Sequence, residues 1–377
     1  MPVITQLNLQ RQFGGGEVYT RFLTAALAQL GWRTRLVVPA DATCWQDMDL
    51  SNAILVPVLS AEDIANHIPV GEQVLTHGAM GGTAMAAVRA KCPLFGIAHM
   101  PSYGRSPLEF QEYRGVLAVS DYVRCSLHDI GVKHCFDQPL LGVADLDRLR
   151  GASAQPILAT SRYDWDMRKG RDRLFAKMEP WIEPFIRRQR YQKQPGLTLG
   201  IVSRLTTIKQ FPQLFTLLAP ILGEFPNVRL EVFGAGGYAS VRDLQRALKP
   251  VADRVRYWGH QRDVASVYRQ LDFVMSGLPE KEALGLNLIE AQACNTPVLA
   301  VNAAPFTETV AHGKTGFLYQ DPRQDGGADF RRLLSMLTTA ASFPRPLECP
   351  EHLQQFSFDA FVKRVESALV FIQQRTI

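Results

Sequence analysis

The sequence predicts an α/β protein built on two parallel sheets, and three observations carry that expectation. Apolar runs such as Leu94-Phe-Gly-Ile-Ala98 and Leu197-Thr-Leu-Gly-Ile-Val-Ser203 lack the regular alternation of a half-exposed strand. They therefore read as strands covered on both faces. Amphipathic stretches separate them, which is the crossover that parallel strands need. A chain of 377 residues is long enough for two domains of ordinary size, and the strand–helix rhythm runs through twice.

Taken in order, residues 2–7 form a short apolar strand, and Gly14, Gly15 and Gly16 turn the chain into a helix from Glu17 to Leu30 that closes at Gly31. Residues 33–38, 52–58, 73–76, 94–98 and 115–119 are the remaining strands of the first half. The second half repeats the pattern with strands at 197–203, 228–233, 255–258, 273–276, 298–301 and 317–318. In open parallel sheets, ligands collect at the carboxyl ends of the strands, and the glycine-rich and charged loops of this chain follow such ends. Residues 356–369 have helical periodicity, with Ser357 or Asp359 as the cap.

Composition narrows the function classes. Hydrophobic residues at 46% and charged residues at 20% indicate a globular chain. The start Met1-Pro-Val-Ile-Thr-Gln-Leu lacks a basic segment and a long apolar core, and no stretch reaches the roughly 18 apolar residues of a spanning helix. The six cysteines show no CxxC spacing, which suits reduced thiols better than a disulfide framework or a zinc site. These features point to the cytoplasm.

Residues 151–195 break the rhythm with a polar, helix-prone insertion. Between Arg162 and Lys193 ten Lys or Arg face five acids, a local surplus equal to the net charge of +5 for the whole chain. Trp181, Phe185, Ile186 and Tyr191 interleave with it. Two readings stay open: a basic, aromatic helix lying on anionic headgroups at the inner face of a membrane, or a solvated helix packing its aromatics on the protein body. Nucleic acid is not expected, since no recognition module accompanies the charge.

The densest chemical signal is Glu282-Ala-Leu-Gly-Leu-Asn-Leu-Ile-Glu290, two carboxylates separated by seven residues. Gly285 and Leu286 stand where a loop becomes a helix, so backbone N–H groups and a positive dipole end face outward to an anion. Glu290, further into the helix, suits a ribose diol, because a carboxylate accepts two hydrogen bonds. Glu282, outside the helix, suits hydroxyls beyond the phosphate. Diol, diphosphate and polyol in series describe a nucleotide sugar.

That segment resembles the E-x7-E signature of retaining glycosyltransferases of the GT-B fold, specifically glycosyltransferase family 4. Further stretches resemble the family in the right order: Phe13-Gly-Gly-Gly-Glu17, Ile97-Ala-His99, Leu117-Ala-Val-Ser120, Ile201-Val-Ser-Arg204 with Lys209, and residues 307–318. The resemblance implies two Rossmann-like domains with parallel sheets facing a deep interdomain cleft. The first would be an acceptor-side domain of residues 1–195 plus the terminal helix 356–377, and the second a donor-binding domain of residues 196–355. It also implies the site. Arg204 and Lys209 would neutralise the leaving diphosphate, one as a planar fork and one as a point charge. His99 would contact the donor's hydroxymethyl group, and Glu282 would orient the sugar. Gly15, Gly16, Gly234, Gly285, Leu286, Asn287 and Glu290 would bind the donor.

No metal or cofactor is expected. Asp164-Trp-Asp166 and Asp145-Leu-Asp147 have DxD spacing but read as capping or surface pairs, and His77, His128, His134, His260 and His312 have no partner at ligand spacing. Gly234-Ala-Gly236-Gly237 reads either as close backbone approach to the nucleotide or as a flexible turn. Glu17 reads as a first-turn acid complementing the helix dipole. Leu284, Asn295 and Ala303-Ala304 depart from the family pattern without removing a polar group the chemistry needs. The expected activity is metal-independent, retaining transfer of a hexose-type sugar from a UDP- or GDP-sugar to a glycan or lipid-linked acceptor, in polysaccharide or lipopolysaccharide synthesis. Competing readings are a nucleotide-sugar 2-epimerase of the same fold and a non-catalytic nucleotide-sugar-binding scaffold. Ser102-Tyr-Gly-Arg105 and Arg11 are candidate acceptor contacts.

Overall fold

The computed structural model describes residues 1–11, 14–46, 48–51, 53–104, 108–151, 155–165, 170–186 and 189–376. The chain divides into two compact units, residues 1–144 with 354–377 and residues 145–353. Each is an α/β layer structure around one parallel sheet.

The first sheet contains β1 (Val3–Leu7), β2 (Arg33–Pro39), β3 (Ile54–Val58), β4 (Gln73–His77), β5 (Leu94–Ala98) and β6 (Gly115–Ala118) in the order β3-β2-β1-β4-β5-β6. The second contains β7 (Leu197–Val202), β8 (Val228–Phe233), β9 (Val255–Gly259), β10 (Phe273–Met275), β11 (Val298–Val301) and β12 (Gly316–Tyr319) in the order β9-β8-β7-β10-β11-β12. The two orders are the same, three-two-one-four-five-six within each unit, and every pairing is parallel. The direction of winding reverses between the first and fourth strands, β1/β4 and β7/β10. Crevices at such switch points are where open α/β sheets hold ligands.

Burial explains why these runs became strands. All six residues of β7 are buried, as are all of β5 and β11. Covered on both faces, they have no exposed side to make polar. The helix Gly15–Gln29 caps the first sheet and carries Tyr19, Phe22, Leu23, Ala26 and Leu27 inward at helical spacing. The terminal helix Phe358–Gln374 packs on the same unit through Phe22–Phe358, Tyr19–Phe361 and Phe136–Phe371 ring contacts. Burying each such ring contributes about 2–3 kcal/mol before entropy. Ser357, rather than Asp359, is the cap, its Oγ accepting from Ala360 N at 3.2 Å.

The insertion packs with the second unit, not the first. Ala159 N donates to Gln189 O and Thr160 N to Trp258 O, both at 2.9 Å, and Gly236 N donates to Arg162 O at 3.1 Å. Tyr191 is 4% exposed, edge-on to Phe233 and Trp258. It therefore belongs to the core of the second unit rather than to an interfacial face. The reason is local: Leu158 and Arg190 bridge as antiparallel partners, so both ends of the insertion are sewn beside β9. The helix Gly170–Ile186 lies between them. Among the described residues no helix is long and apolar enough to cross a membrane, and the six cysteines are unbridged.

Asn295 shows how a departure from a glycine pattern is accommodated. Its φ is +63°, the left-handed region that Asn tolerates better than most side chains. Its Oδ1 also accepts from Leu347 N at 3.2 Å, which offsets part of the conformational cost.

Candidate functional site

In the second unit the predicted residues gather around the β7/β10 switch point. Arg204 and Lys209 lie in the loop between β7 and the helix Phe211–Gly223, and Glu282 lies in the loop after β10. Lys209 Nζ donates directly to Glu282 Oε2, and both side chains are largely buried. Two residues assigned separate roles from sequence thus form one charge-paired unit, an ammonium held in place by a carboxylate. A paired Lys loses less freedom on meeting a ligand than a free one would.

The loops are drawn together by glycine. A Cβ on Gly277 would fall 1.8 Å from Lys209 O, so only glycine lets the segment after β10 run against the Lys209 loop. Leu278 N donates to that carbonyl at 3.3 Å and Glu282 N to Pro279 O at 2.9 Å. Gly277 escaped the sequence reading because nothing local marks it. Gly285 caps the helix Leu286–Ala293 with φ +85° and ψ 52°, a left-handed conformation. Loop therefore becomes helix at the predicted residue, leaving first-turn N–H groups outside the intrahelical ladder.

Asn287 turns toward the sheet: its Nδ2 donates to Val202 O at 3.3 Å, while Oδ1 is buried without a hydrogen-bond partner. Its first contact is thus the end of β7. Glu290 Oε2 accepts from Tyr268 OH at 3.0 Å, leaving Oε1 for a ligand. Burial raises the Glu290 pKa above the usual carboxylate value. The Tyr268 hydrogen bond and the charges of Arg148 and Lys209 work in the opposite direction. Tyr268, at the end of the helix Val264–Tyr268, went unnoticed in sequence because a tyrosine in an amphipathic stretch looks like core.

At Gly234 the backbone of a neighbouring loop approaches closely. A Cβ there would lie 1.9 Å from Ser203 O, so the glycine is required by the end of β7. Gly236 likewise meets Leu205 O at 2.2 Å, and the two loops are tied by Ser203 N to Phe233 O at 3.0 Å and Leu205 N to Ala235 O at 2.9 Å. Asp164 is at the surface, as read from sequence, 3.6 Å from Arg204 in an exposed ion pair, and its N–H donates to Gly236 O. Asp166 lies outside the described residues.

The first unit holds a second cluster. Gln6 pairs with Leu75 across β1/β4, and His77 with Ile97 across β4/β5. His77 lies two residues beyond Leu75, and His99 two beyond Ile97. Side chains in strands repeat every two residues, so Gln6, His77 and His99 share one face, under the helix Gly15–Gln29. His77 Nδ1 is 2.9 Å from His99 Nε2, and His77 Nε2 is 2.8 Å from Gln6 Oε1. Tyr19 stands edge-on to His99 at 5.0 Å, and its OH donates to Leu140 O at 3.0 Å. Burial lowers the His99 pKa from 6.5 to about 4, and burial plus the His99 charge hold His77 well below 6.5. Both rings are neutral at pH 7.

His77 was set aside in sequence for want of a partner at ligand spacing; its partner is one strand away. The usable signal was two histidines at the ends of successive predicted strands. Gly15 and Gly16 open the helix Gly15–Gln29 as expected, with open space around a Cβ at Gly16. Glu17 is in the first turn of that helix, as expected, and is 3% exposed. Phe13 and Arg105 lie outside the described residues, and Arg11 forms an exposed ion pair with Asp41 at 3.2 Å. Among the described residues no three His, Cys, Asp or Glu converge as a metal cluster.

The chain is similar in sequence and in fold to known glycosyltransferases and related proteins. Residues 183–336 match the family described as Glycosyl transferases group 1. That span carries Arg204, Lys209, Gly234, Glu282, Gly285, Leu286, Asn287 and Glu290. The chain is 30% identical over 128 residues to N-acetyl-alpha-D-glucosaminyl L-malate synthase of Bacillus anthracis, covering 34% of this chain and 33% of that protein. It is 30% identical over 179 residues to D-inositol 3-phosphate glycosyltransferase of Rhodococcus erythropolis, covering 44% of this chain and 39% of that one. The alignments thus span well under half the length of these relatives. In structure, Anabaena HepE in complex with UDP aligns over 98% of this chain and all of its own, with a TM-score of 0.70 at 15% identity. HepE in complex with UDP and glucose aligns with a TM-score of 0.69 at 14% identity. The fold is α/β of the GT-B kind.

Proposed function

We propose that the chain is a retaining glycosyltransferase that moves a hexose-type sugar from a UDP- or GDP-sugar to a hydroxyl of a glycan or lipid-linked acceptor without a metal. The observation that supports this most is the Lys209–Glu282 pair at the β7/β10 switch point, beside the helix start at Gly285 and inside the span matching Glycosyl transferases group 1. Arg204, Lys209 and the first-turn amides at Leu286 and Asn287 stabilise the leaving diphosphate. Glu290 accepts from the ribose diol through its free oxygen, and Glu282 orients sugar hydroxyls while holding Lys209. His99 meets a hydroxyl of the transferred sugar. In a front-face reaction the acceptor oxygen bonds to the anomeric carbon as the bond to the diphosphate oxygen breaks. That phosphate oxygen takes the acceptor proton.

The names of the two relatives carry a malate and an inositol phosphate, so the acceptor panel includes a hydroxy acid and an inositol phosphate beside glycans. The test is thermal shift against UDP-, GDP- and ADP-sugars, followed by nucleotide release with each acceptor. A bound donor raises stability as RT ln(1 + [L]/Kd), about 2.7 kcal/mol at a hundredfold excess over Kd. Failure of every nucleotide sugar to stabilise the protein refutes the proposal. Conversion of donor to a new nucleotide sugar without acceptor, followed by NMR, establishes the epimerase instead.

The helix Gly170–Ile186 supports a membrane-facing role for the insertion, which would put the enzyme at the inner face of a membrane. Leu174, Met178 and Trp181 are exposed by 60, 50 and 82% and recur at helical spacing as one stripe. Exposed Arg173 and Lys177 run beside it. An apolar stripe next to cationic side chains matches an anionic lipid surface.

A further inference from the structure

The histidine cluster of the first unit contains a chain of hydrogen bonds whose direction is fixed at one end. Thr24 Oγ1 donates its only hydrogen to Thr20 O at 2.8 Å, so toward Gln6 it can only accept. Gln6 Nε2 donates to that oxygen at 3.1 Å, which turns Gln6 Oε1 toward His77. A carbonyl oxygen is an acceptor, so the facing His77 Nε2 carries the hydrogen. A neutral imidazole has one N–H, so His77 Nδ1 is a lone pair. Its neighbour His99 Nε2, at 2.9 Å, must then be the donor.

Thr20 Oγ1 also lies 3.2 Å from His77 Nδ1, but it donates to Gly16 O at 2.8 Å and accepts from Asn8 Nδ2 at 3.0 Å, so its hydrogen is not available to the ring. The last atom in the series is His99 Nδ1, which makes no hydrogen bond among the described residues. Tyr19 edge-on to His99, and the nearly parallel His77 ring hydrogen-bonded beside it with centroids 5.1 Å apart, restrict rotation of the ring.

We infer that Gln6 and His77 are positioning residues that lock His99 as the Nε2–H tautomer, so that the ring presents only a lone pair, at Nδ1, to a ligand hydroxyl. The lock follows from the network alone; the identity of that hydroxyl, on the donor's hydroxymethyl group, rests on the glycosyltransferase reading. A hydroxyl that must donate to Nδ1 is also fixed in orientation, and a donor lacking it leaves the site one partner short.

The experiment is a long-range proton–nitrogen correlation on the nitrogen-15-labelled full chain at neutral pH without substrate, with His99 assigned by its loss in His99→Asn. The lock requires the Nε2–H pattern for His99; the Nδ1–H pattern, or a mixture of the two, overturns it. Kinetics supply the second readout. His77→Phe removes the acceptor for His99 Nε2–H and should lower kcat on the order of tenfold with little change in KM, the scale of other orienting partners. His77→Asn, whose Oδ1 stands near the place of Nδ1, should restore most of the loss. Full activity in His77→Phe overturns the positioning role. Donors with the hydroxymethyl hydroxyl replaced by hydrogen or by fluorine should be equally poor, since neither can donate; partial rescue by fluorine overturns the lone-pair assignment. If His99 is Nε2–H and no sugar is ever transferred, the lock stands and the glycosyltransferase reading falls. If sugar is transferred by a protein whose His99 is Nδ1–H, the lock falls alone.

Discussion

Gly277→Ala tests whether the donor-side site is assembled by backbone approach. The new Cβ would lie 1.8 Å from Lys209 O and 2.8 Å from its carbonyl carbon. Ordinary carbon contacts begin near 3.5 Å, so the Lys209 loop must retreat by about 1.5 Å. That retreat opens the Leu278 N to Lys209 O hydrogen bond and lifts Lys209 from Glu282. Overpacking costs about 1–3 kcal/mol, and the backbone hydrogen bond about 1 kcal/mol more. A loss of about 2–4 kcal/mol in a unit of this size lowers Tm by roughly 5–12 °C. Calorimetry of the variant with and without nucleotide sugar reads both effects, since a misplacement near 1 Å also costs on the order of a hundredfold in activity. Gly223→Ala is the control: nothing lies within 4 Å of its Cβ, at the end of a helix, and the change should be neutral or stabilising by up to about 1 kcal/mol. A Tm within about 1 °C of wild type for Gly277→Ala, with unchanged donor binding, refutes the reasoning.

Glu290→Gln should weaken nucleotide binding and yet raise Tm at pH 7. Folding raises the pKa of this carboxyl, so its stability contribution is complete at low pH and lost as pH rises through the folded value; the gain should vanish near pH 4, and Tm followed against pH decides. The histidines give the opposite sign. Folding lowers His99 from 6.5 to about 4, on the order of 3 kcal/mol present above pH 6.5 and lost as pH falls toward 4; His99→Asn should flatten that acid limb of the first unit, and an unchanged limb counts against burial as the cause. Trp181→Ser should reduce cosedimentation with vesicles containing anionic phospholipid and leave background binding to neutral vesicles unchanged; equal recovery of wild type and variant on anionic vesicles removes the membrane role.

The twelve strands were legible because each is an apolar run bounded by turn residues, and the helix start at Gly285 because glycine is the residue that adopts its left-handed φ. The alternation of strands and helices also carried the parallel arrangement of both sheets. Local pattern sufficed wherever the determinant was local: burial on two faces, a cap, a turn. The site's internal wiring was a different matter. His77 and His99 are far apart in sequence and adjacent in space because β4 and β5 pair in one register, and Lys209 meets Glu282 because Gly277 lets two loops touch. Tyr268 reaches Glu290 from another helix, and the insertion joined the second unit because both its ends pair beside β9. The sequence alone therefore determined which segments are strands and which loops carry polar chemistry. Which side chain bonds to which, and with which hydrogen, was decided by strand register and loop packing, since those contacts depend on separations that no single window of residues contains.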